Sequence, residues 1–198
     1  MRAGSLRLAA WQPHPRAVRA SARMHDWLTT PGSLTARLVA HSGRFRVHKL
    51  HQNSALCLAD EARAIGLPRP ERVWEREVLL ECDGRPRVFG HTVVPTSCSA
   101  SDWPLFSALG ERSLGTTLFY DPLVRRGQLE YARIRAGHPL MERVRAALGG
   151  SHEHVRDDSL YYARRCVYRR RQGLLLVTEV FLPSVLDLEP AGTQQNTK

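Results

Sequence analysis

Two stretches of the chain alternate with a two-residue period on either side of a tight turn. Residues 73–82 and 88–95 are β-rich runs joined through Asp83-Gly84, a dipeptide suited to the left-handed turn of a hairpin. Residues 160–169 and 174–182 flank Arg171-Gln172-Gly173 in the same manner, and Pro183 closes the second hairpin. Shorter alternation predicts strands over 44–50 and 129–134. Apolar positions at helical spacing predict a helix from Pro15 through Val18, Ala22, Trp27 and Leu28, stopped at Thr30-Pro31-Gly32. Ser33 then caps a second helix bearing Leu34, Leu38 and Val39. Further helices are predicted over 55–65, 101–109 and 140–148, each ended by glycine or proline. Hairpins with helices between them predict a single α+β domain on an antiparallel sheet.

Side chains along a strand point alternately to its two faces. In the first hairpin one face reads Trp74, Arg76, Val78, Leu80, and the other Val73, Glu75, Glu77, Leu79, Glu81. The first is apolar apart from Arg76, which therefore points to the core. In the last strand Leu175, Val177, Glu179 and Phe181 share one face, and the opposite face is apolar too. That predicts a central strand and a buried Glu179. A buried charge is costly unless it is paired or meets a ligand. Arg76 and Glu179 therefore either pair, with each other or with neighbours, or stand at two ends of an apolar pocket. In such a pocket the guanidinium grips a carboxylate and the glutamate accepts from a hydroxyl or moves a proton. A small cyclic acid with a hydroxyl group fits that pair.

Composition narrows the partner only slightly. The 198 residues carry a formal charge of +10, and 27 of the 29 basic residues are arginine. The surplus admits nucleic acid, an acidic membrane surface or a small anion. No basic–aromatic surface motif supports nucleic acid, and no apolar run is long enough to span a membrane. Cys57, Cys82, Cys98 and Cys166 have no zinc spacing and read as reduced thiols of a cytoplasmic protein. His152-Glu153-His154 reads as a solvated loop rather than a metal site. His91, beside Phe89 and Val93, reads as a core or cleft histidine with a proton shuttle as the alternative.

Several blocks together resemble the chorismate lyase (chorismate–pyruvate lyase) family. They are Asp26-Trp27-Leu28 and Gly32-Ser33-Leu34-Thr35; residues 74–80 with Asp83-Gly84 and residues 90–95; Leu109-Gly110 and Ser113-Leu114-Gly115 with Leu118-Phe119; and Arg164-Arg165 with residues 175–183. The resemblance covers about residues 26–185, leaving a basic, flexible extension at 1–25 and a polar tail at 186–198. It implies a six-stranded antiparallel sheet whose product site lies buried under helical flaps, here residues 33–42 and 100–114. It also implies conversion of chorismate to 4-hydroxybenzoate and pyruvate, the first step of ubiquinone biosynthesis, without metal or organic cofactor and by a monomer. Arg76 matches the arginine that grips the ring carboxylate, and Glu179 matches the glutamate that bonds the ring 4-hydroxyl. Leu34 and Leu114 match two backbone N–H contacts. Leu34 replaces a frequent Met, a change that conserves volume. His91 replaces a frequent Arg, and would hold the substrate's second carboxylate only when protonated. Buried product implies slow release and product inhibition. The alternative is a ligand-sensing domain of the same fold, as in some transcription regulators.

Overall fold

A computed structural model describes residues 9–98, 101–149, 155 and 160–189. Its centre is a six-stranded sheet, ordered β1-β2-β3-β6-β5-β4 with every pairing antiparallel. The strands are β1 (Phe45–Leu56), β2 (Arg72–Cys82), β3 (Arg85–Pro95), β4 (Val124–Arg135), β5 (Leu160–Arg170) and β6 (Gly173–Phe181). Both expected hairpins form. Asp83 and Gly84 take φ of 54° and 77°, the left-handed pair that a twisted two-residue hairpin requires. The second turn places Arg171 at φ 53°. The two hairpins then lie side by side through β3 and β6, with β1 and β4 outside them.

The helices are α1 (Ala22–Leu28), α2 (Leu34–Ala40), α3 (Ala59–Ala64), α4 (Leu114–Tyr120) and α5 (Pro139–Leu148). Ser21 caps α1 through the Met24 amide and Ser33 caps α2 through the Ala36 amide. Leu28 and Leu38, from α1 and α2, join Val78, Leu80 and Val88 in a core on the front face of the sheet. Leu140, Met141 and Val144 of α5 pack with Leu79, Phe89 and Val180 on the rear face. Ala62 of α3 joins Val73, Val93 and Leu176 there. Both faces are covered, so both faces of the hairpin strands are buried.

Several expected boundaries move. The helix expected from Pro15 to Leu28 is broken, because Arg19 takes φ 49° between a 3-10 turn (Pro15–Val18) and α1. The expected helix over 55–65 shrinks to α3, and β1 runs on to Leu56 by pairing with β2. Residues 101–109 form no α-helix. Bonds such as Phe106 N–H to the Trp103 carbonyl and Ala108 N–H to that of Leu105 close single turns around Pro104. The helix in this region is α4 instead. Residues on either side of 26–185 also pack onto the sheet. Gln12 bridges to Tyr131 and Val18 is buried, as is Leu188 beyond the 3-10 turn Pro183–Asp187. Residues 1–8 and 190–198 of the two terminal segments, and His152-Glu153-His154, lie outside the described residues. Among the described residues no helix is long and apolar enough to cross a membrane.

Candidate functional site

The front face of the sheet opens into a cavity enclosing about 700 Å³, mouth included. Its floor is the alternating front row of the central strands: Arg76 and Val78 on β2, Gly90 and Thr92 on β3, Val177 and Glu179 on β6. Gly90 keeps the floor low, since a Cβ there would sit 3.0 Å from a Val78 methyl carbon. The roof is the N-terminal turns of α2 and α4. These two helices meet where Thr35 Oγ1 and Ser113 Oγ share a hydrogen bond of 2.7 Å. Gly115 sits at the seam, its Cβ position 3.5 Å from the hydroxyls of Ser33, Thr35 and Ser113.

Arg76, Glu179, Leu34 and Leu114 all line this one cavity. Arg76 is 2% exposed. One Nη donates to the carbonyls of Gly110 and Arg112, each at 3.0 Å, which fixes the guanidinium against the 101–112 segment. Its Nε is buried without a partner. Desolvation pulls its pKa down to about 10, so it stays a cation at neutral pH. Trp74, assigned by alternation to the same inward face, is 40% exposed at the end of the strand.

Glu179 is less buried than expected, with a fifth of its side chain accessible through the cavity. Among the described residues its ion-pair partner is Arg164, not Arg76. Arg164, opposite it on β5, donates from Nε to its carboxylate at 2.5 Å. Arg164 is itself anchored by the carbonyls of Leu28 and Thr30. Sequence reasoning did not assign Arg164 to the site, although the hairpin register sets it against Glu179. Arg126, Tyr168 and Cys166 also line the cavity and were likewise missed. Burial raises the pKa of both Tyr168 and Cys166, keeping phenol and thiol neutral. The charged groups in the wall are Arg76, Arg126, Arg164 and Glu179, a surplus of two positive charges.

His91 is not in this wall. It alternates to the rear face, where it is fully buried between Glu61 Oε1 at 2.9 Å and Glu77 Oε1 at 3.2 Å. Burial pulls the imidazole pKa down, but the two carboxylates outweigh it and lift the pKa to about 10. Glu77 is its counterpart: burial pushes the carboxyl up, and His91 with Arg143 overrides this and holds it at about 2. Arg143 of α5 reaches Glu75 at 2.6 Å and Glu77 at 2.8 Å. The rear glutamates, which simple alternation put on the opposite face from Arg76, are thus 2% and 4% exposed. His51, Glu75 and Glu77 bring ligating atoms within 4.8 Å of one another, a set able to hold a metal. Arg143 and His91 pair with those carboxylates, and Glu61 shares His91, so the cluster forms an ion network. The second-carboxylate role expected of His91 has no geometric basis.

The family model described as chorismate lyase matches residues 5–189. A protein of Cupriavidus metallidurans named "Probable chorismate pyruvate-lyase" is 45% identical, over 90% of this chain and 82% of its own. One of the same name from Ralstonia nicotianae is 48% identical, over 83% of each. Among solved structures, the PhnF C-terminal domain superposes with a TM-score of 0.53 at 16% identity, covering 74% of this chain and 87% of that one. A GntR-family transcriptional regulator from Bacillus cereus gives 0.51 at 12%, covering 73% and 96%. At such identity these two share the fold alone.

Proposed function

The chain belongs to the chorismate lyase family, and from that premise we propose how its front cavity converts chorismate to 4-hydroxybenzoate and pyruvate. The observation that carries the reading is the charge of the wall. Chorismate is a dianion, and the wall's three arginines exceed its one glutamate by two charges. A ligand-sensing role finds less support, since regulators resemble the chain in fold only while the relatives at 45% and 48% identity are named lyases.

In this reading Arg76 anchors the ring carboxylate by a charge-assisted hydrogen bond, its guanidinium already held by two carbonyls. Glu179 accepts from the ring 4-hydroxyl, and Arg164 keeps that carboxylate oriented. β2 and β6 are two strand spacings apart, about 10 Å at ~4.8 Å each. Side chains converging across that gap bracket a six-membered ring. The first-turn amides of α2 and α4, at Leu34 and Leu114, lack acceptors within their helices and face the ligand.

The C3–O bond to the enolpyruvyl arm breaks, the C4 hydrogen leaves the ring, and the enolpyruvate methylene gains a hydrogen to become pyruvate. Aromatisation drives the step. The side chains need only fix the reacting geometry, exclude water and stabilise negative charge on the departing enolpyruvate. α2 and α4 close over the product, so release is slow and the product inhibits. Action as a monomer follows from the family resemblance. The free thiols suit a cytoplasmic setting, with the product entering ubiquinone biosynthesis.

The test is direct: purified protein and chorismate should give 4-hydroxybenzoate and pyruvate in equal amounts. Tight binding of 4-hydroxybenzoate without turnover would favour the sensing role instead.

A further inference from the structure

Chorismate carries a second carboxylate, on its enolpyruvyl arm. With His91 on the rear face, that group needs a different partner. Arg164 is engaged by Glu179 and two carbonyls, and Arg76 is assigned to the ring carboxylate. Building on the chorismate reading of the cavity, we propose that Arg126 binds the enolpyruvyl carboxylate and thereby separates substrate from product.

The strand is bent to aim this residue. Arg126 and Leu129 both line the cavity, yet they stand three residues apart and would face opposite ways on a regular strand. The pairing shows how the phase is corrected. Arg126 lies opposite Tyr168 and Leu129 opposite Cys166, so β4 holds one extra residue between them. This is a β-bulge, which re-aims a side chain without ending the sheet. Gly127 makes it feasible: a Cβ there would sit 2.8 Å from the Val167 carbonyl oxygen.

The guanidinium is also only partly engaged. Nη1 donates to the Pro31 carbonyl at 3.0 Å, the Cys166 side chain lies within hydrogen-bonding reach, and the group lies 5.7 Å from the Phe119 ring centroid. Its Nε is buried without a hydrogen-bond partner. A buried donor left unmet is unfavourable, and an anion arriving there relieves it. Position completes the case. β4 and β2 lie on opposite sides of the strand that bears Glu179, so Arg126 and Arg76 approach a bound ring from different directions. The two acidic groups of chorismate likewise hang from different ring carbons.

The experiment compares chorismate with 4-hydroxybenzoate, which lacks the second carboxylate. In Arg126→Leu, kcat/KM for chorismate should fall about ten- to a hundredfold, the scale of one charge-assisted hydrogen bond. The Kd for 4-hydroxybenzoate, by titration, should stay within about twofold, because that ligand never meets the group removed. Arg126→Lys, which keeps the charge but loses the fork, should recover part of the loss and serves alone if the leucine variant does not fold. Equal weakening of both ligands, or unchanged kcat/KM, overturns the assignment while leaving the lyase reading intact. No turnover by the unmodified protein overturns both.

Discussion

Glu179 faces Arg164 across the β5–β6 hairpin, and the arginine Nε donates to its carboxylate at 2.5 Å. That pairing frees Arg76. Its hydrogen bonds run to backbone carbonyls, so its full positive charge is directed to whatever enters the cavity. Two buried charges that could have cancelled each other are instead kept apart, one compensated and one available.

Removing the available charge should therefore cost affinity more than stability. Arg76→Ala is expected to weaken 4-hydroxybenzoate binding at least about a hundredfold, as for loss of a buried charge pair. Calorimetric titration reads this directly. Wild-type affinity in the variant would remove Arg76 from the anchoring role.

Glu179→Gln keeps the shape and one acceptor but removes the charge beside Arg164. Turnover should drop by about a hundredfold if the carboxylate assists proton movement. Stability should fall by about 1–3 kcal/mol, because a buried guanidinium loses its charged acceptor. Steady-state rates across a range of pH, beside urea melts, separate the two effects. Unchanged rates at every pH would confine Glu179 to a structural part.

The hydrogen bond between Thr35 and Ser113 ties the two roof helices together. If product release limits turnover, cutting this tie should speed it. Thr35→Val is expected to raise kcat by about two- to tenfold, the worth of one hydrogen bond, while shrinking the pre-steady-state burst of 4-hydroxybenzoate. A wild-type time course that is linear through the first turnover would show that release is not limiting.

The rear network sets a pH window for folding. Glu77, held at about 2 against an ordinary 4.5, stabilises the fold above pH 4.5, and this is lost as pH falls towards 2. His91, lifted from 6.5 to about 10, stabilises fully below pH 6.5, and this fades as pH rises through 10. Together they place the network's largest contribution between pH 4.5 and 6.5. Urea midpoints should decline on both sides of that window. In His91→Gln the alkaline decline should flatten and overall stability should fall, since Glu61 and Glu77 lose their shared cation. An alkaline limb unchanged in that variant would assign the decline to other groups.

The hairpins were legible because their turns carry explicit chemistry: Asp83-Gly84 accepts left-handed φ, and the pairing follows by counting up to one slip between Leu80 and Glu81. The same counting from Arg170 against Gly173 sets Arg164 opposite Glu179, so that pair was within reach of the sequence. Arg126 was not. Its aim depends on a bulge that Gly127 permits, and the strand expected over 129–134 stopped short of that glycine. The burial of Glu75 and Glu77 was hidden for another reason: their cations, Arg143 and His91, come from α5 and β3, and only tertiary packing brings them together. α4 was hidden by its own composition, since Gly115 and consecutive threonines favour helix poorly while the preceding segment, ended by Gly110, looked the better candidate.

Among the described residues, the sheet separates the network of Glu61, Glu75, Glu77, His91 and Arg143 behind it from Arg76, Arg126, Arg164 and Glu179 in front. Those behind it lock helices to strands, and those in front answer to an incoming anion. Such a partition loosens the usual conflict between binding and foldability. A lineage can exchange the arginines at the two ends of the cavity, and with them the acid that is recognised, while the lock on the far side keeps the scaffold whole.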